Sequence, residues 1–240
     1  MIVTMKILAI DSSATAASAA LVEDGKVLGE FYINTRLTHS QTLMPMIENV
    51  LKCTQSKLAE IDLFAVSAGP GSFTGIRIGV ASVKGLAMAE NKPCVGVSTL
   101  EAMAYNLELV QGTVCAVMDA RCQQVYNAMF RVNGSGIERL TPDRALSMET
   151  LAEECKNYKK PLYFVGDGAK LCYNNQWFKS LDVILPPEPL IYQRACSVAK
   201  AAACAYEQGK GVTPAALMPV YLRLPQAERE LKKRLKGEVK

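Results

Sequence analysis

The stretch KILAIDSSATAASAALVEDGKVLGEFYI, Lys6 to Ile33, sets three apolar runs around two turns. KILAI is a continuous apolar run that stops at Asp11, the pattern of a strand buried on both faces. ASAALVE and KVLGEFYI follow, joined by Asp24-Gly25. That dipeptide accepts the left-handed backbone of a two-residue hairpin turn. Three antiparallel strands are therefore expected to open the chain.

Leu43, Met46, Ile47, Val50 and Leu51 then recur at i, i+3, i+4, i+7 and i+8, one face of a helix. Pro45 has no N–H to donate, so it is expected in the first turn of that helix or at a kink. IDLFAVSAG reads as a buried strand and FTGIRIGVASVKGLAMAEN as a second helix. PCVGVST reads as a strand and TLEAMAYNLE as a third helix. The order βββαβαβα is that of an RNase H-like half, a meander continued into parallel strands with helices on the faces.

The opening pattern then recurs. AVMDARCQQVYNAMFRVNGSG places Asp119 at the end of an apolar strand with Gly134 15 residues on, as Asp11 precedes Gly25 by 14. PLYFVGDGAK, DVILP and YQRACSVAKAAACAYEQG supply further strand and helix units. A duplicated α/β fold of two lobes is expected. The first lobe would span residues 1–108, the second 109–227, with a charged tail at 228–240.

Composition narrows the class. Half of the 240 residues are hydrophobic and 21% are charged, as in a globular protein. No apolar run reaches the length of a membrane span, so a cytoplasmic protein is expected. Eight cysteines stand singly in the chain with no C-x-x-C, which argues for small buried hydrophobes and against zinc or disulfides. The tail ERELKKRLKGEVK holds six basic and three acidic residues of a chain whose net charge is +4. The remaining body has 21 basic against 20 acidic residues, too balanced for a broad nucleic-acid face.

SAGPGSFTGIRIG, Ser67 to Gly79, suggests a phosphate loop but fits neither common pattern. Gly75 is followed by Ile76 where a P-loop needs lysine, and Thr74 stands where a dinucleotide fingerprint needs its third glycine. His39 is the single histidine, and Leu43 occupies the place four residues on, so a helical histidine pair for metal is excluded. No G-x-S-x-G elbow is present. No catalytic or metal-binding residue is assigned. In the second helix Gly75, Gly79 and Ser82 fall at i, i+4 and i+7, a stripe narrow enough to admit another helix. With Leu43, Met46, Ile47 and Val50 it forms either an intra-lobe contact or a subunit interface.

AIDSSATAASAALVEDGKV, HSQTLMPMI, SAGPGSFTGIRIGVASVKGLA, MDARCQQVY and PVYLR together resemble the TsaB family of threonylcarbamoyladenosine synthesis on tRNA, within the actin-like ATPase superfamily. The match is dense over residues 5–130 and sparse beyond. The resemblance implies a non-catalytic partner of the paralogous transferase TsaD, assisted by the small ATPase TsaE. It also implies a homodimer when the chain is alone, and tRNA contact only through the complex. It selects the interface reading of the two helices. It places Asp11, Ser12, Ser13, Asp119 and Arg121 at two phosphate hairpins, and Gly166, Asp167 and Gly168 beside an adenine. No cofactor is required on this reading. ATP or ADP with magnesium, held weakly or at the partner interface, stays open. Rival readings are a self-sufficient actin-like ATPase or kinase and a homodimer with an unrelated regulatory role. A metallopeptidase is opposed by the single histidine.

Overall fold

β1 (Lys6–Asp11), β2 (Ala17–Glu23) and β3 (Lys26–Ile33) form the expected meander, with Asp24 at φ 48° and Gly25 at φ 79° in the turn. The structure, a computed structural model, describes residues 5–35 and 37–223. After α1 (His39–Cys53), β4 (Leu63–Gly69) adds parallel to β1; after α2 (Phe73–Ala89), β5 (Cys94–Ser98) adds parallel to β4. The sheet order is β3-β2-β1-β4-β5. Pro45 is the seventh residue of α1, past the first turn and on its exposed side.

α3 (Thr99–Ala104) leads into the second half. There β6 (Gln111–Asp119), β7 (Gln124–Asn133) and β8 (Ile137–Arg139) repeat the meander. β9 (Arg144–Ser147), α4 (Met148–Cys155), β10 (Leu162–Val165), α5 (Ala169–Tyr173), β11 (Val183–Ile184) and α6 (Ala195–Glu207) follow. The second sheet runs β8-β7-β6-β10-β11, the order of the first sheet, with β9 added on β7. The recurrence of strand, aspartate and hairpin is a duplication of topology.

The division at residue 108 separates the strands but not the helices. α6 lies on the face of the first sheet that α1 and α2 leave bare, with Ala195, Val198, Ala199 and Ala202 against Ile7, Ala9, Val22, Leu63 and Val97. α3 covers the second sheet, with Leu100, Met103 and Ala104 against Val114, Ala116 and Phe130. Each bare apolar face recruits a helix from the other half because it cannot remain in water. The expected boundaries are therefore corrected: α6 and the segment that follows it as far as Leu217 pack on the first lobe. The tail 228–240 lies outside the described residues.

A second correction concerns the apolar stripe of α1. Leu43, Met46, Ile47 and Val50 are at most 3% exposed and pack on Leu8, Ile10, Leu21 and Phe64 of their own lobe. They do not face a partner. Four cysteines are buried and two, Cys53 and Cys122, are exposed. Among the described residues no helix is long and apolar enough to cross a membrane.

Candidate functional site

The turn after β1 is held on all sides. Asp11 is fully buried; its Oδ1 accepts from the Ser13 amide at 2.9 Å and the Ser13 hydroxyl at 2.7 Å, and its Oδ2 accepts from Ser67 Oγ at 2.5 Å. Burial raises its pKa, and the hydrogen bonds from Ser67 and Ser13 oppose that shift. Ser12 Oγ donates to the Gly75 carbonyl at 2.9 Å, and the Ser72 amide donates to the Ser13 carbonyl at 2.7 Å. His39 Nε2 lies 2.6 Å from the Ala14 carbonyl, so that nitrogen carries the proton.

This arrangement explains SAGPGSFTGIRIG. A Cβ at Gly71 would overlap the Ser13 carbonyl, one at Gly75 the Ser12 carbonyl, and one at Gly79 the Ser12 hydroxyl. The glycines let the start of α2 lie directly on the β1–β2 turn. Ser72 caps the helix, accepting from the Gly75 amide at 3.3 Å. The reading of Gly75 and Gly79 as partner contacts is therefore corrected: both are buried against their own lobe. Ser82 is half-buried, and its hydroxyl bonds the Ile78 carbonyl at 2.9 Å.

Across the lobes, Arg121, Cys122 and Gln123 all adopt positive φ (65°, 55° and 59°) between β6 and β7. Asp119 Oδ1 accepts from the Arg121 amide at 2.7 Å, and its Oδ2 lies 3.1 Å from the guanidinium. Asp167 sits behind them, its pKa pushed up to about 6, chiefly by burial. Gln193 Nε2 donates to it at 3.2 Å, while Gln193 Oε1 is buried without a partner.

Between the two turns lies a cleft of about 420 Å³. Ser13, Asp119, Arg121 and Asp167 meet in its lining, joined by Thr15, Phe73, Tyr221 and Arg223. Asp11 and Ser12 are walled off from it. A Cβ at Gly166 would overlap the Val117 carbonyl, and Gly168 lies close against the Met118 backbone. Tyr221 and Arg223 carry no expected role, although PVYLR marks them in the sequence.

A magnesium nucleotide would not lack room here, since small-ligand pockets are roughly 300–1,000 Å³. The chemistry does not fit. The Asp11 carboxylate and the Ser12 and Ser13 hydroxyls are spent on protein partners, Arg121 is paired with Asp119, and the lining holds no lysine. No step is assigned to a nucleotide in this cleft.

A second surface lies on the outward side of α1 and α2. Thr74, Ala81, Gly85, Met88 and Ala89 are exposed, Ile78 and Ser82 half-buried, and Met44 and Pro45 of α1 are exposed. Gly85 has open space where a side chain would project. None of these residues carries a charge; the exposed charges of the two helices are Glu48, Lys52 and Arg77.

The model of the family described as TsaD, tRNA N6-adenosine threonylcarbamoyltransferase, matches residues 26–219. A protein of Escherichia coli named tRNA threonylcarbamoyladenosine biosynthesis protein TsaB is 33% identical, over 91% of this chain and 95% of that protein. Its Bacillus subtilis namesake is 29% identical, over 93% of this chain and 96% of its own length. Among solved structures, a Pseudomonas aeruginosa protein described as uncharacterized with similarity to peptidase YeaZ superposes with a TM-score of 0.77 at 28% identity. That superposition covers 91% of this chain and all of the other.

Proposed function

This chain belongs to the TsaB family of tRNA threonylcarbamoyladenosine biosynthesis proteins, and from that premise we propose that it serves as the partner of a TsaD-like transferase. The observation that carries the reading is the outward side of α2. Thr74, Ala81, Gly85 and Met88 are exposed and Ile78 half-buried along α2, a run of small or uncharged residues bordered by the exposed Arg77, and α1 exposes Met44 and Pro45. Apolar, small-residue helix surfaces of this kind are suited to close packing against another helix.

The interface thus stays with the two helices first assigned to it but moves to their opposite sides. Catalysis belongs to the partner: the imidazole of His39 is committed to the Ala14 carbonyl, and the Asp11 carboxylate is saturated. A TsaE-like ATPase would join the assembled pair, and tRNA would be engaged in the cytoplasm only by the complex. A homodimer would use the same surface when the partner is absent.

Purification of the tagged chain from its own cells tests this reading. A TsaD-like protein should accompany it, and threonylcarbamoyl transfer to tRNA should require both. Transfer by this chain alone, or failure of the purified pair to associate, would sink it.

A further inference from the structure

The chain that leaves α6 reaches the cleft, where Val220, Tyr221, Leu222 and Arg223 line it. After α6 it returns through Leu217, which is 3% exposed in the first lobe's core. Lys84 Nζ donates to the carbonyls of Ala215 at 3.1 Å and Leu217 at 3.2 Å. The Val220 amide then donates to the Ala68 carbonyl at 2.7 Å, beside the last residues of β4. Tyr221 stacks 4.9 Å from Phe73, and its hydroxyl accepts from Arg77 Nε at 2.9 Å. Two residues later Arg223 crosses to the second lobe, where its guanidinium donates to the Ala120 carbonyl. The segment therefore has fixed points on both walls of one cleft.

The floor is shaped to receive it. Gly69 has φ 131°, and a Cβ there would overlap the Val220 carbonyl. Gly96 leaves room for Leu217, whose Cδ1 would lie 3.1 Å from a Cβ at that position. These glycines serve the return segment, as Gly71, Gly75 and Gly79 serve the first turn.

We propose that Leu217–Arg223 is an internal strap that lines the interlobe cleft and ties the two lobes together. It takes the Ala68 carbonyl on the first lobe and the Ala120 carbonyl on the second, with the Tyr221 ring held on Phe73 and Arg77 between them. Fixed on both walls, the strap sets the distance between the lobes. That makes the cleft a structural joint.

The inference stands apart from the partnership with TsaD, because its test uses this full chain alone. The parent, Arg223→Ala, and the double variant Tyr221→Ala/Arg223→Ala are compared by hydrogen exchange and by the distance distribution between two probes, one on each lobe. In the parent the peptide covering 217–223 should exchange at least tenfold slower than free chain, and the interlobe distance should be narrowly distributed. The double variant should lose that protection and show a broader distribution. Arg223→Ala should shift both readouts in the same direction, and it carries the test if the double variant does not fold. Free-chain exchange in the parent would overturn the proposal. So would an unchanged distance distribution after the segment is released.

Discussion

Gly79 shows how much a single missing Cβ decides. The sequence presents it with Gly75 as a shallow stripe, and the structure fills that stripe with the Ser12 backbone and hydroxyl. Gly79→Leu should therefore destabilise the fold itself, by about 1–3 kcal/mol or more where the turn cannot yield. Urea denaturation should show a lowered midpoint in the isolated chain; an unchanged midpoint would refute the packing role. Asp167 supplies a pH test at the same scale. The folded chain holds its proton up to about pH 6, while the unfolded chain releases it near 3.8. Stability is thus fully present below the unfolded value, falls as pH rises through that window, and is level above it. Asp167→Asn should remove this loss, leaving the variant about 1–3 kcal/mol more stable than the parent at pH 7 and nearly equal at pH 4. Parallel denaturation curves at the two pH values check the sign.

At the scale of the element, α1 and α2 each present two usable sides, and burial separates them. The side with Leu43, Met46, Ile47 and Val50 is inside the first lobe, so Met46→Asp should unfold the chain before it tests any interface. The outward side offers a cleaner variant. Gly85 is exposed within α2 with open space around it, so Gly85→Glu should hold or raise stability by roughly 0.5–1 kcal/mol through helix propensity. In an assembly built on that surface the same carboxylate would be buried unpaired. Affinity for the TsaD-like partner should fall at least tenfold while the melting temperature does not drop. Undiminished affinity in calorimetry would place the interface elsewhere.

The whole molecule is two copies of one sheet order joined by exchanged helices. Because α6 covers Ile7, Ala9, Val22, Leu63 and Val97, residues 1–108 expressed alone leave that face in water. The fragment should fail to fold cooperatively, binding a hydrophobic dye and giving no sharp thermal transition. A cooperative melt would show that the first half is complete by itself. Element types, the strand–aspartate repeat and the family were legible from the chain because each rests on local signals. These are a two- or 3.6-residue period, a hairpin dipeptide, and motif spacing. Of the cleft, the family motifs pick out Ser13, Asp119, Arg121 and Asp167, whereas Tyr221 and Arg223 stand in PVYLR with no role that the motif itself supplies. Their place depends on a chain reversal after α6 that no local pattern encodes. Periodicity establishes that a helix has an apolar side but not what covers it, and a glycine establishes that something comes close but not what. Those assignments belong to tertiary structure, because burial depends on which surfaces the chain brings together across long sequence separations.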